Sequence, residues 1–255
     1  MIRGDSMARG TRVLSETGIY HVMLRGNNKN EIFLKYADYE KFINIVENVQ
    51  EKSLFNVYAY CLMNNHVHLL LKTNNEEIGD SMKRIAISYA QYHNRKYGKT
   101  GHLFQNRFKS EPINDDKYLL TVVRYIHQNP LKAKLVTSVE YYKWSSFSEY
   151  TNKKPLLIDR SFILDYFKDI DDFIRFNKEF SEDECLEYYE SKNWNDDELK
   201  EHIYEYYDAR MLQSPNPNIK YKIINDIKNE TGVSNRQLSR VLNISRSIID
   251  KAVNS

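Results

Sequence analysis

Alternating apolar and polar residues mark Thr17 to Gly26 as a first strand, which runs into the polar turn Asn27-Asn28-Lys29-Asn30. From Tyr36 to Lys52 the period changes, with Tyr39, Phe42, Ile43, Val46 and Val49 at helical spacing and Asp38 as the capping residue. Two more strands follow, Phe55 to Met63 and His66 to Leu71, joined at the turn-favouring pair Asn64-Asn65. Ile78 to Tyr97 then reads as a longer helix, apolar along Met82, Ile85, Ala86, Tyr89 and Tyr92 and ended by Gly98. His102 to Ile113 predicts a hairpin that brings Gln105, Arg107 and Lys109 together at strand spacing. Asn114-Asp115-Asp116 caps a helix from Lys117 to Gln128, which Pro130 stops. This order predicts an α+β fold over residues 11–150: a ferredoxin-like (RRM-like) antiparallel sheet with helices on one face and the other face open to a ligand.

Past Lys143 the pattern weakens. Trp144 to Tyr150 closes the first domain and Lys153-Lys154-Pro155 reads as its boundary. Residues 156–212 form a helical connector carrying Phe162, Leu164, Tyr166, Phe167, Phe173 and Phe176, with no chemistry of their own. After the linker Gln213 to Asn218, an all-α region over 213–255 has three short helices: Ile219 to Thr231, then a helix capped by Ser234, then one capped by Ser245 after the turn Asn243-Ile244. A helix-turn-helix is the expectation, with Arg236, Arg240, Arg246 and Ser247 facing a groove of duplex DNA; a plain three-helix interaction module is the alternative.

Charge sharpens that division. The 255 residues sum to only +2, yet residues 1–135 and 213–255 are basic while 156–212 are strongly acidic, so two surfaces suit a polyanion and the stretch between them repels one. No apolar run approaches the length of a membrane span and no signal-peptide pattern opens the chain, so a cytoplasmic protein is expected. Two cysteines far apart, Cys61 and Cys185, support neither a disulfide framework nor a thiolate metal site. Any ion must be held by histidine, carboxylate or amide groups.

His66 and His68 supply the first half of such a site. On a strand they project from one face, about 6.6 Å apart along the chain. Two imidazoles with an oxygen donor and an open position suit Mg²⁺ or Mn²⁺, which can polarise a phosphate. In the helix before Pro130, Tyr125 and Asn129 stand four apart on one face, a phenol beside an amide oxygen, as a tyrosine nucleophile with a third ligand requires. Among 20 tyrosines most are packing residues, and Tyr118, seven positions earlier, competes for the same role.

Together, His66-Val67-His68, Tyr125-x-x-x-Asn129 followed by Pro130, Gly18 to Gly26 and Leu103 to Lys109 resemble the single-tyrosine HUH transposases, in particular their REP-associated tyrosine transposase branch. The likeness runs from about Thr11 to Val136. It implies a Mg²⁺ or Mn²⁺ ion held by His66, His68 and Asn129, and Tyr125 as the nucleophile that cuts single-stranded DNA and leaves a 5′-phosphotyrosine and a free 3′-OH. Insertion-sequence members commonly carry Gln where Asn129 stands, so a water could bridge the shorter side chain to the ion. Those members are dimers that exchange the tyrosine helix, whereas the REP-associated branch looks monomeric, so both a monomer and a homodimer are expected possibilities. Arg25, Asn27, Asn28, Arg107 and Lys109 are the candidates for gripping single-stranded or hairpin DNA. The rival reading is a non-catalytic, sequence-specific DNA-binding regulator; an RNA-binding sheet is weaker, because histidines stand where stacking aromatics belong.

Overall fold

The computed structural model describes residues 13–74, 77–151, 157–179, 181, 185–186, 194–207, 212 and 216–253, the side chain of residue 229 excepted. The expected boundary Lys153-Lys154-Pro155 and residues 213–215 of the expected linker lie outside these. The chain divides into two compact units, one ending at residue 187 and one beginning at 188. That division falls inside the stretch read as a connector. No helix among the described residues is long and apolar enough to cross a membrane.

The first unit is built on four antiparallel strands, β1 (Ile19–Arg25), β2 (Asn56–Met63), β3 (His66–Lys72) and β4 (Lys109–Ile113), in the order β2-β3-β1-β4. β2 and β3 meet across the two-residue turn Asn64-Asn65, with Met63 opposite His66. In register, His21 faces Leu70, Met23 faces His68 and Arg25 faces His66. Because side chains alternate along a strand, these six share one face while Tyr20, Val22, Leu24, Val67, Leu69 and Leu71 line the other. Helix α1 (Tyr36–Ser53) and helix α2 (Ile78–Tyr97) pack together through the edge contact of Phe42 on Tyr89. Leu24 lines a cleft with Met82, Ala86 and Ala90, which puts α2 on the Leu24 face.

Three expectations need correcting here. The histidine face is not open: helix α3 (Asp116–Lys132) covers it, burying Leu119, Val122, Val123, Tyr125 and Ile126, so helices lie on both sides of the sheet. Asp115 caps α3 by accepting from the Tyr118 N–H, as expected, but Pro130 lies inside the helix. Its missing N–H removes only the bond to the Ile126 carbonyl, and the ladder resumes with Ala133 N–H donating to Asn129 O at 3.0 Å. The predicted hairpin over 102–113 is replaced by a loop and a single strand. Asn27 N–H bonds Leu103 O and Gln105 N–H bonds Arg25 O, fastening residues 103–105 to the end of β1, and β4 pairs with β1 instead of with its own predecessor.

Smaller differences follow from the same accounting. Asp38 is not the cap of α1 but its third residue, reaching back to accept from Leu34 and Lys35 N–H at 2.9 and 2.8 Å. Gly26 is demanded by close approach, since a Cβ there would lie 2.0 Å from Asn30 O. The segment 144–146 runs beside β2, with Leu62 N–H on Trp144 O and Ser146 N–H on Tyr60 O. It leads into the short helix α4 (Phe147–Thr151). From the stretch expected to be a connector, α5 (Ser161–Leu164) and α6 (Ile170–Lys178) join the core of this unit through Ile163 and Phe173.

The second unit holds α7 (Asp196–Tyr206), α8 (Pro217–Thr231), α9 (Asn235–Leu242) and α10 (Arg246–Val253) around Leu199, Ile203, Ile224, Ile227, Leu238 and Ile249. Gly232 ends α8 and Asn243 ends α9, each in the left-handed conformation. Ser234 caps α9 by accepting from Gln237 N–H at 3.1 Å.

Candidate active site

On the covered face of the sheet, β3 brings His66 and His68 side by side, ring centroids 5.0 Å apart and nearly perpendicular. The turn orients the first of them: His66 Nδ1 lies 2.7 Å from Asn65 Oδ1, an acceptor that fixes Nδ1 as the protonated nitrogen, while Nε2 faces Asn129 Oδ1 at 3.4 Å. Asn65 thus sets the direction of His66. Asn129 reaches the site from α3, its Nδ2 buried with no hydrogen-bond partner. His68 is buried, and its Nε2 also has none.

His21, to which sequence reading assigned no role, completes the cluster. Its Nε2 lies 3.0 Å from His68 Nδ1 and the two rings stack. The signal was present, but it needed the register: only the antiparallel pairing of β1 with β3 puts residue 21 beside residue 68. Burial pushes the His21 pKa down to about 3 and holds His68 well below the ordinary range, where His66 and His21 also disfavour its charge. Both rings are therefore neutral near pH 7, the state in which a histidine nitrogen can ligate.

Tyr125 is buried at 2% exposure, its ring edge-on to His68 at 5.6 Å and to His21 at 5.9 Å. The Lys132 ammonium sits 4.7 Å from the Tyr125 ring centroid. Tyr118 lies elsewhere: its phenol hydrogen-bonds Glu111, and burial first, then that carboxylate, raises its pKa. Half-buried His66 is the end at which the cluster meets solvent. There Arg25 sits opposite His66 and Lys109 opposite Met23, and burial together with the Arg25 charge lowers the Lys109 pKa.

Asn27 and Arg107 line one cleft of about 880 Å³ with His102, Phe104, Gln105, Asn106 and Phe108. Asn28 is exposed beside it in a left-handed conformation at φ 51°. In the second unit Arg236, Arg240, Arg246 and Ser247 are all exposed. Arg240 is engaged by Asp196 of α7, with its Nη2 2.8 Å from Oδ1, and Arg246 lies 3.7 Å from Asp250.

The donor set fits a divalent ion. Among the described residues no three His, Cys, Asp or Glu side chains group as a metal site; the oxygen donor beside His66 is the Asn129 amide, 3.4 Å from Nε2. A buried nitrogen without a partner is costly, and an ion held by His66, His68 and the Asn129 oxygen would relieve His68 Nε2.

Residues 15–129 match the family described as Transposase IS200 like. A curated protein of Haemophilus influenzae named "Putative REP-associated tyrosine transposase" is 26% identical over 155 residues, covering 55% of this chain and 86% of that protein. The fold is similar to the solved structure of a REP-associated tyrosine transposase bound to a REP hairpin, at a TM-score of 0.50 and 19% identity over 60% of this chain and 90% of that one.

Proposed function

Residues 15–129 match the Transposase IS200 like family, and from that likeness we propose that this chain is a metal-dependent single-stranded DNA endonuclease and strand transferase acting at hairpin-bearing DNA. The observation that carries the proposal is the convergence of His66, His68 and the Asn129 amide oxygen beside Tyr125, with His68 Nε2 buried and unpartnered. The strand order, two interlocked β-α-β halves, supports the ferredoxin-like label. Helices α9 and α10, hinged at Asn243, support a helix-turn-helix that offers Arg236, Arg246 and Ser247 to duplex DNA.

His66, His68 and Asn129 would hold Mg²⁺ or Mn²⁺, which when bound neutralises charge on the scissile phosphate. His68 keeps its Nε2 lone pair for that role by donating Nδ1–H to His21 Nε2. The Tyr125 oxygen attacks phosphorus, the P–O3′ bond breaks, and the 3′ oxygen leaves as a hydroxyl while the 5′-phosphate stays on the tyrosine. The Lys132 ammonium over the ring puts a positive charge beside the attacking residue. Since the phosphotyrosine conserves the bond energy, a 3′-OH can rejoin by the reverse step. Arg25 and Lys109 hold the phosphate strand at the His66 end, while Asn27, Asn28 and Arg107 grip the hairpin or its flank. The same reading accommodates a monomer, since Tyr125 and the histidines come from one chain, and a homodimer.

The test incubates the chain with Mn²⁺ or Mg²⁺ and a hairpin-bearing single-stranded oligonucleotide from the DNA flanking its gene, read by denaturing gel and mass. A covalent adduct at Tyr125, lost with EDTA and in Tyr125→Phe while binding persists, is the expected result. An adduct at Tyr118 overturns the nucleophile, and tight binding with no adduct under either ion favours the regulator.

A further inference from the structure

We propose that Asn177 of α6 is a positioning residue for Tyr125, acting through His127 and Gln128. The inference rests on the reading of Tyr125 as nucleophile. At 3.6 residues per turn, His127 falls opposite Tyr125 and Asn129 on α3, with Arg124 and Gln128 on the flank between. That side is bolted to α6. His127 and Asn177 are both fully buried, and His127 Nδ1–H donates to Asn177 Oδ1 at 2.7 Å, the only arrangement open because Asn177 Nδ2 already donates to Phe173 O at 2.8 Å. His127 Nε2 then accepts from Ser146 Oγ at 2.8 Å. Gln128 Nε2 donates to the carbonyls of Asn177 at 2.9 Å and Glu179 at 2.6 Å. The Arg124 guanidinium lies 4.6 Å from the Phe176 ring centroid.

The helix that carries the phenol and the third metal donor is thus indexed in rotation and height by α6, from the stretch whose acidity and aromatics suggested no chemistry. A misplacement of about 1 Å costs on the order of 10²-fold in rate. Removing the Asn177 amide unpairs His127 Nδ1–H and loosens α3 over the histidine face, leaving the Gln128 bonds to main-chain carbonyls, while Arg25, Asn27 and Arg107, on β1 and the loops beside it, keep their grip on DNA.

The experiment compares Asn177→Ala with Ile163→Ala, which removes buried volume from α5 with no bond to α3, at a temperature where both chains are folded. Single-turnover adduct formation at saturating hairpin DNA is expected to fall about 10- to 100-fold in Asn177→Ala and to hold in Ile163→Ala, with hairpin Kd within about twofold in each. 3-Fluorotyrosine incorporated at position 125 gives a ¹⁹F resonance that should stay single in the parent and broaden or split on Asn177→Ala. An unchanged adduct rate in Asn177→Ala, or equal losses in both variants with the resonance unmoved, overturns the proposal. Absence of an adduct in the parent chain overturns the nucleophile reading instead, and the resonance then decides the placement alone: broadening on Asn177→Ala supports it, and no change overturns it.

Discussion

Buried histidines lie on both sides of α3, and their nitrogens are treated in opposite ways. On the sheet side, His21 and His68 pair with each other through one nitrogen apiece, which leaves His21 Nδ1 and His68 Nε2 without hydrogen-bond partners. On the α6 side, His127 is equally buried, yet Asn177 and Ser146 satisfy both nitrogens. Titration does not separate the two, because burial drives His21 to about 3 and His127 to about 4 and holds His68 low as well. Partner accounting does. A buried polar atom without a partner costs about 1–3 kcal/mol, so the sheet cluster is a poor stabiliser whose free nitrogen suits the ligand role proposed for it, whereas the α6 side is a fastening.

The sharpest way to break this comparison is to delete each ring. His127→Leu strips partners from buried Asn177 and Ser146, and should destabilise the first unit by about 2–4 kcal/mol. His68→Leu removes one unpartnered nitrogen while stripping a single partner, that of His21 Nε2, and should cost clearly less than His127→Leu, measured by urea denaturation in EDTA. Equal losses would erase the distinction.

Acid tests the neutral state of the fastening. His127 has a folded pKa of about 4, below its unfolded value of 6.5, so protonation favours unfolding. Its contribution is full above pH 6.5 and is lost as pH falls towards 4, about 3 kcal/mol over that window. His21 and His68 add in the same direction. Urea midpoints between pH 7 and pH 4.5 should therefore fall in the parent and fall less steeply in His127→Leu; the same slope in both would show that His127 takes up no proton.

Added Mn²⁺ separates the two sides of α3 from the other direction. At 100 times its Kd an ion that binds only the folded chain stabilises by about 2.7 kcal/mol. The Tm should rise with Mn²⁺ in the parent and in His127→Leu, and stay flat in His68→Leu and His66→Leu. A flat response in the parent would refute the ligand set.

What the sequence made legible were features decided within one element. The β2-β3 turn at Asn64-Asn65, the projection of His66 and His68 from one face, the Gly98 end of α2 and the caps Asp115 and Ser234 all follow from local spacing and side-chain chemistry. Features settled by pairing between elements stayed hidden. His21 joins the site through register, β4 chose β1 over its own neighbour, and α3 covered a face expected to be open. Pro130 misled because a proline near a helix end removes one bond and the following turn closes over it. Asn177 was invisible because a single Asn in the last turn of α6 has no local signature that points to a buried partner; that partner lies 50 residues away.

The smallest expected effect carries the same accounting to the second unit. Arg236 and Arg240 look alike in sequence as exposed cations of α9, but the Arg240 guanidinium is engaged by Asp196, whose pKa that bond lowers. An arginine already holding a carboxylate has less to offer a phosphate. Asp196→Ala should leave the urea midpoint of the second unit unchanged, since exposed pairs contribute little. It should also steepen the salt dependence of duplex DNA binding by about one unit of log–log slope, the signature of one more phosphate contact. Arg240→Ala in the parent should change duplex affinity little, and in the Asp196→Ala background it should return the slope to the parent value. If Arg240→Ala weakens duplex binding as strongly as Arg236→Ala in the parent, DNA displaces Asp196 without help, and the acidic helix is a scaffold for α9 with no influence on what its cations reach.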